Sequence, residues 1–408
     1  MRSNYKPLGN YIKEVNNRDT KLEVDLLLGV SIQKKFMPSI ANTIGTDMST
    51  YKIIKRNQFA YGPVTSRNGD KISIALLEDY DEAIVSQAYT PFEVTDLNLL
   101  LPEYLMMWFR RPEFDRYARF KSHGSAREIF DWAEMCNTLL PIPSIAKQRE
   151  IVKEYNTFVN RIKLNQQLIQ KLEETAQAIY KQWFVDFEFP FDFAQGKPDE
   201  NGLPYKSYGG EMVESELGVV PDKWKYEKIG SYVKLSQGLV VNATTNHLLK
   251  PTGIPLLRIT DLINDTKEIF IDQSVDKKNI AKKEDIIISR TGQVGLVFRN
   301  KEGVIYNNCF KITPNEKLVQ KEYLYWFLRQ KNTFNSMVEL ASGSSAQFDL
   351  THTAFNTLPF IIPSIEIQSN FSKIIKPFGN HLDLVYNENK ILYNMKYVLL
   401  SKLATIEN

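Results

Sequence analysis

The sequence predicts an α+β chain built twice over. It has two similar globular domains joined by two long helices that pair as an antiparallel coiled coil, pseudo-twofold within one chain. The first observation behind this is an internal repeat, which dictates architecture before any local reading does. Leu8-Gly9-Asn10-Tyr11-Ile12 returns as Ile229-Gly230-Ser231-Tyr232-Val233, and Glu103-Tyr104-Leu105 returns as Glu322-Tyr323-Leu324. Gly124-Ser125 returns as Gly343-Ser344, Asn137-Thr138-Leu139 as Asn356-Thr357-Leu358, and Ile142-Pro143-Ser144-Ile145 as Ile362-Pro363-Ser364-Ile365. Five matches in order at offsets of 219 to 221 residues are too many for chance. The second observation is a heptad seam after each Ile-Pro-Ser-Ile. The third is a set of short β-rich runs with turn signals before it. The expected division is 1–143 domain one, 144–184 central long helix, 185–221 connector, 222–363 domain two and 364–408 C-terminal long helix.

Within the domains, Asp285-Ile286-Ile287-Ile288-Ser289-Arg290 running into Thr291-Gly292-Gln293-Val294-Gly295 reads as a strand entering a glycine-rich turn. Residues 102 to 120 and 321 to 339 read as amphipathic helices. Each is followed by a Gly-Ser loop, His123-Gly124-Ser125-Ala126-Arg127 or Ser342-Gly343-Ser344-Ser345-Ala346-Gln347. Such a mixture points to α+β domains and not to a doubly wound sheet.

Ser144 and Ser364 follow a proline and precede a long periodic stretch, which makes them helix N-caps. A 4-3-4-3 spacing then selects Ile151, Tyr155, Phe158, Ile162, Asn165, Ile169, Leu172, Ala176, Ile179 and Trp183. The second helix gives Phe371, Ile375, Phe378, Leu382, Val385, Asn389, Leu392, Lys396, Leu399 and Leu403 in the same register. Antiparallel pairing that sets Asn165 against Asn389 also sets Ile151 against Leu403 and Trp183 against Phe371. A buried asparagine pair weakens packing yet penalises every slipped register. The alternative is that each helix packs on its own domain with its asparagine exposed. A rod of this length spans about 50 Å at 1.5 Å per residue. Pro377 and Gly379 are expected to kink or delay the second helix, and Lys396 to weaken its seam.

At 408 residues, 43% of them hydrophobic, the chain suits two domains with connectors. No run approaches the ~18 apolar residues of a membrane span and no signal-peptide core is present, so a cytoplasmic protein is expected. Cys136 and Cys309 have no metal-type spacing and read as ordinary thiols, and His123, His247, His352 and His381 are scattered. Net charge is +3, but 221–363 carries 19 Lys/Arg against 14 Asp/Glu. Residues 110–127 hold six basic residues against Glu113 and Asp115. Such local patches suit a partner read by specific contacts, with solvated surface as the alternative. Dinucleotide, phosphate-loop and zinc-protease motifs are missing, and Gly292-Gln293-Val294-Gly295 reads as a tight turn before it reads as a phosphate cradle. The sequence makes no case for a catalytic centre, and no metal site is expected.

The two Ile-Pro-Ser-Ile-x-x-Gln segments at 142–148 and 362–368 resemble the specificity subunits of type I restriction–modification systems. So do the run Leu172 to Phe187, Gly210-Glu211-Met212-Val213 with Glu216-Leu217-Gly218 and Val220-Pro221-Asp222-Lys223-Trp224, and Asp285 to Gly292. The resemblance spans essentially the whole chain and is loosest within the globular domains. It implies two target-recognition domains, each reading one half of a bipartite, asymmetric double-stranded DNA site, held apart by helices that act as a ruler. It further implies two methyltransferase subunits docked on the helices and connector, with motor-nuclease subunits joining them. The complex would use S-adenosylmethionine, ATP and Mg2+ as a DNA adenine methyltransferase and ATP-dependent endonuclease; this chain would hold no cofactor.

Arg, Asn and Gln read base edges, while Lys, Ser and backbone amides hold phosphates. The candidates in domain one are Arg56, Arg67, Lys121, His123, Ser125 and Arg127. In domain two they are Arg258, Arg290, Thr291, Gln293, Ser344 and Gln347. The alternatives are a non-catalytic coiled-coil scaffold, a silent specificity subunit, or a stand-alone DNA-modifying enzyme.

Overall fold

The structure, a computed structural model, describes residues 5–39, 45–66, 68–124, 127–215, 218–342 and 348–406. Two compact units divide the chain: residues 1–165 with 388–408, and residues 166–387.

In the first unit, β1 (Tyr5–Pro7) leads through a 3-10 turn into β2 (Ile12–Glu14). There follow β3 (Leu27–Val30), β4 (Phe36–Pro38), β5 (Lys52–Lys55), β6 (Phe59–Tyr61), β7 (Ile74–Leu76), β8 (Glu82–Val85) and β9 (Thr90–Val94). They form two four-stranded sheets. One is antiparallel throughout, in the order β2-β9-β6-β7, with Ile12 opposite Val94 and Phe59 opposite Phe92. The other runs β4-β3-β8-β5, with β3 parallel to β8. Helices α1 (Pro102–Phe109), α2 (Pro112–Phe120) and α3 (Trp132–Asn137) follow, and β10 (Leu139–Pro141) returns to pair with β1. The expected single helix over 102–120 is thus broken at Arg110-Arg111. Pro112 cannot donate to a continuing helix, and it drives Arg111 into extended backbone, φ −74° and ψ 137°.

The chain then enters α4 (Ile145–Phe184), whose first turn is capped by Ser144: its Oγ accepts from the Lys147 amide at 3.4 Å. The second unit contains β11 (Pro190–Asp192), β12 (Lys197–Pro198) and β13 (Leu203–Pro204) as one small sheet, and the hairpin of β14 (Met212–Ser215) with β15 (Gly218–Pro221). The described residues of the connector thus form small sheets, with Phe189 stacked on Tyr205 and Trp224. Next come β16 (Lys225–Lys228), β17 (Val233–Gln237), β18 (Leu249–Lys250), β19 (Ile254–Leu257), α5 (Ile259–Asn264), β20 (Phe270–Ile271), β21 (Ile280–Ala281), β22 (Ile286–Ser289), β23 (Val297–Phe298), β24 (Gly303–Ile305) and β25 (Cys309–Pro314). The last elements are α6 (Lys321–Leu328), α7 (Lys331–Ser342), α8 (His352–Asn356), β26 (Pro359–Ile362) and α9 (Ile365–Lys402). Here too the helix expected over 321–339 is two, parted at Arg329-Gln330.

The domain topology repeats. The sheet β17-β25-β22-β23 matches β2-β9-β6-β7, the β16–β26 pair matches β1–β10, and β19 lies parallel to β24 as β3 does to β8. The repeated glycine motif has a packing cause. A Cβ on Gly9 would lie 2.8 Å from Cys136 Cβ, and one on Gly230 would lie 2.7 Å from Asn356 Cβ. Only glycine lets each 3-10 turn close on the small helix that faces it.

Each long helix crosses from one unit into the other, and both pair within each unit. In the first, Ile151 and Tyr155 share a core with Leu400 and Leu403. In the second, Trp183 meets Phe371 with ring centroids 5.8 Å apart, inside a core that holds Tyr323, Trp326, Phe355 and Phe360. The pairing is antiparallel. All twenty seam positions are buried or half-buried. Asn165 Nδ2 donates to Asn389 Oδ1 at 3.0 Å, with 2% and 7% of the two residues exposed, so neither asparagine faces solvent. Asn165 also donates to Glu388 at 2.8 Å, whose carboxylate holds Arg161 in a two-point ion pair.

Pro377 and Gly379 neither kink nor delay the second helix enough to break it; α9 runs through both. Pro377 forfeits one bond to the Lys373 carbonyl, but Pro377 and Lys373 are both exposed, so solvent serves that group, whereas Gly379 is buried. At Gly379 a Cβ would come within 2.8 Å of Arg299 Nη2. The missing side chain admits a guanidinium that lies over Tyr325 at 4.2 Å and bonds Glu322 at 3.1 Å. Lys396 keeps its place in the seam by laying its ammonium 5.1 Å from the Tyr393 ring centre. Burial, and then the charges of Arg110 and Lys35, push its pKa down.

Candidate nucleic-acid interface

In each repeat one strand of the antiparallel sheet ends in a loop that pairs with the loop following the helix pair. In the first, β6 leads into residues 62–73. Thr65 N donates to Glu128 O at 2.9 Å, Phe130 N donates to Pro63 O at 2.8 Å, and Val64 bridges Ile129. Thr65 Oγ1 also donates to Ser122 Oγ at 2.9 Å. In the second, β22 leads into residues 290–296. Thr291 bridges Asp349, and Leu350 N donates to Arg290 O at 2.9 Å. The two domains thus present the same pair of loops at the same sheet edge.

Six of the eight expected contact residues that the structure describes collect there. His123 exchanges backbone hydrogen bonds with Ile129, and its side chain is exposed, as is that of Arg127. Gly124 has φ +130°, and a Cβ there would meet Arg127 O at 2.2 Å, so only glycine closes this loop. Lys121 ends α2 and pairs with Glu134 at 3.5 Å. In domain two, Thr291 is half-buried, and Gly292 and Gln293 are exposed at the turn tip, which Val294 anchors in the core. Ser289 Oγ donates to Gln293 O and so tightens the turn. Arg67, Ser125, Ser344 and Gln347 lie outside the described residues.

Two candidates sit elsewhere. Arg56 lies at the opposite end of β6, where Nε donates to Asp81 at 3.0 Å and Nη1 to the Glu78 carbonyl. Arg258 begins α5, where it bonds Asp261 at 2.6 and 3.0 Å and Glu268 at 2.5 Å; those carboxylates hold its pKa above the ordinary value. The structure brings neither to the loop pair. The basic run 110–127 is also less free than its composition suggests. Arg110 pairs with Glu78, Arg111 and Arg116 with Glu113, Arg119 with Glu128, and Lys121 with Glu134. Among the described residues, Arg127 alone in the run has no carboxylate within ion-pair distance.

Arg290 is the best-built group in domain two. Its Nε and Nη2 grip Asp349 at 2.8 and 2.5 Å, and Nη1 donates to Gln237 Oε1 at 2.9 Å. Gln237 in turn donates to Asn307 O at 3.0 Å. Two buried polar atoms next to this cluster lack partners among the described residues: Asn308 Oδ1 and His352 Nε2. Burial, then the neighbouring Arg290 charge, holds His352 below the usual imidazole pKa. Gln237, Asn308, Asp349 and His352 were not singled out from the sequence. They lie 18 to 62 residues from Arg290 in sequence, and only the fold unites them. A held guanidinium beside unsatisfied amide and imidazole atoms is suited to hydrogen-bond recognition of a polar ligand edge. Among the described residues no cluster of metal-binding side chains occurs, and no helix is long and apolar enough to cross a membrane.

The type I restriction modification DNA specificity domain family matches residues 31–174 and again 221–392, one segment per repeat. The chain belongs to this family. It is 25% identical to the HindI specificity subunit of Haemophilus influenzae, over 93% of both chains. It is 22% identical to the MjaVIII specificity subunit of Methanocaldococcus jannaschii, over 46% of this chain and 43% of that one. The crystal structure of the type I restriction-modification S subunit from M. genitalium shares the fold with a TM-score of 0.57 at 15% identity, covering 99% of this chain and 96% of that one. The chain is thus a type I restriction–modification specificity subunit, with two repeated target-recognition domains and a coiled coil between long helices.

Proposed function

We propose that this specificity subunit binds double-stranded DNA and reads a bipartite asymmetric target, one half-site per domain, without catalysing a reaction itself. The observation that carries this reading is the same loop pair at the same sheet edge in both repeats. Around Arg290 that edge has hydrogen-bonding atoms in excess of their protein partners. Bidentate readout of a purine edge in the major groove needs a guanidinium held in a fixed plane, and Asp349 with Gln237 supplies that restraint.

Two methyltransferase subunits dock on the long helices and connector, and motor-nuclease subunits join them. This is supported by Ile391, Met395 and Val398, which leave 59%, 46% and 49% of their area exposed along one flank of α9. S-adenosylmethionine, ATP and Mg2+ are then used by those partners for adenine methylation and ATP-dependent cleavage in the cytoplasm. The test is to purify the chain with its methyltransferase partners and offer a duplex library with random half-sites. Methylation of one split motif is expected. Replacing residues 222–363 by the second domain of a relative should change only one half of that motif. Methylation unaffected by the replacement would refute the assignment.

A further inference from the structure

The glutamine that closes each Ile-Pro-Ser-Ile-x-x-Gln segment has one and the same set of partners in the two repeats. Gln148 is fully buried. Its Oε1 accepts from Leu101 N at 2.9 Å, and its Nε2 donates to Leu99 O and Pro143 O, each at 2.9 Å. Gln368, also fully buried, accepts from Gln320 N at 2.9 Å and donates to Leu318 O at 3.2 Å and Pro363 O at 2.9 Å. Both amide hydrogens and the carbonyl oxygen of each side chain are spent on backbone groups of two separate segments. One segment is the chain just before the long helix. The other is the chain that starts α1 or α6, whose N-cap residues, Leu101 and Gln320, make no side-chain cap of their own.

A tyrosine completes each joint. Tyr104 OH donates to Pro141 O at 3.0 Å, and Tyr323 OH donates to Ile361 O. The Glu-Tyr-Leu and Ile-Pro-Ser-Ile-x-x-Gln repeats therefore meet. Together they lock the first helix of a domain onto the first turn of the long helix that leaves it. A planar amide with three bonds fixes direction as well as distance, unlike an apolar contact, which permits rocking.

We infer that Gln148 and Gln368 are positioning residues that set the angle between each recognition domain and its long helix, and thereby the spacer length tolerated between the two half-sites. This rests on the bipartite reading proposed above. The experiment uses the full chain with its methyltransferase partners, unaltered or carrying Q148M or Q368M, which keep side-chain length and remove the hydrogen bonds. Methylation is measured on duplexes whose half-sites are constant and whose spacer varies, together with amide hydrogen exchange at Leu101 and Gln320. The unaltered protein should accept one spacer. Each variant should extend methylation to spacers about one base pair longer or shorter, lose about tenfold in rate at the original spacer, keep its half-site bases, and exchange faster at its own joint only. Faster exchange with an unchanged spacer profile would overturn the inference and leave a purely structural role. Two variants at separate joints guard against one that fails to fold. If the unaltered protein methylates no split motif, the functional reading itself falls and the inference with it.

Discussion

The asparagine pair in the coiled coil invites a double-mutant cycle. Asn165→Leu removes the donor from Asn389 Oδ1 and takes one of the donors from Glu388, which keeps Arg161. Asn389 is 7% exposed, so its orphaned oxygen has little access to water, and the expected cost is about 1–3 kcal/mol. Asn389→Leu strands Asn165 in the same way, softened by the bond to Glu388, and should cost somewhat less. With both replaced, no buried amide is left unpaired and two leucines complete an apolar seam. That double variant should be within about 1 kcal/mol of the natural protein or more stable. The coupling energy is then favourable by about 2 kcal/mol or more. Urea unfolding followed by far-UV circular dichroism measures it. Single variants within about 0.5 kcal/mol of the natural protein and additive in the double would refute the claim that this pair is a buried, matched hydrogen bond.

Other consequences are equally specific. Arg290→Ala should weaken target binding by about tenfold or more with unchanged circular dichroism, because the planar donor that Asp349 and Gln237 hold is lost; unchanged affinity in a gel-shift titration would sink that assignment. Pro377→Ala should raise stability by about 2 kcal/mol, since it restores an internal helix bond at an exposed site and loses only some unfolded-state restraint; thermal unfolding decides. Trp183→Ala should cost about 3–5 kcal/mol in the same assay, because it empties a core contact with Phe371. Cys309 is wholly buried, and burial pushes its thiol up to about 12, so at pH 8 iodoacetamide should label it only after unfolding; mass spectrometry showing labelling of the folded protein would contradict that.

The periodic features were legible in the sequence because each depends on local spacing. The 220-residue repeat, the serine caps and both heptad seams follow from side-chain period alone, and one register of twenty positions brought Asn165 against Asn389. The breaks within residues 102–120 and 321–339 are less legible. In the first, the signal is Pro112 at the first position of a new helix; in the second, no proline marks the break. By propensity Pro377 and Gly379 are helix breakers. Packing overrides that propensity, because a guanidinium fills the glycine notch and solvent serves the freed carbonyl. The candidate interface was legible only in part. Loop residues such as Thr291 and His123 follow from the repeat. That Arg56 and Arg258 are tied to local carboxylates, or that Gln237 and Asp349 hold Arg290, depends on pairings across the sheets that no pattern along the chain records.

We propose that this chain specifies a split DNA target, and the most direct test is a genome-wide adenine-methylation profile of the host with the gene intact and deleted. Loss of one bipartite motif on deletion is expected, with restoration by the unaltered gene. An identical profile in a strain whose methyltransferase partners are expressed would contradict it.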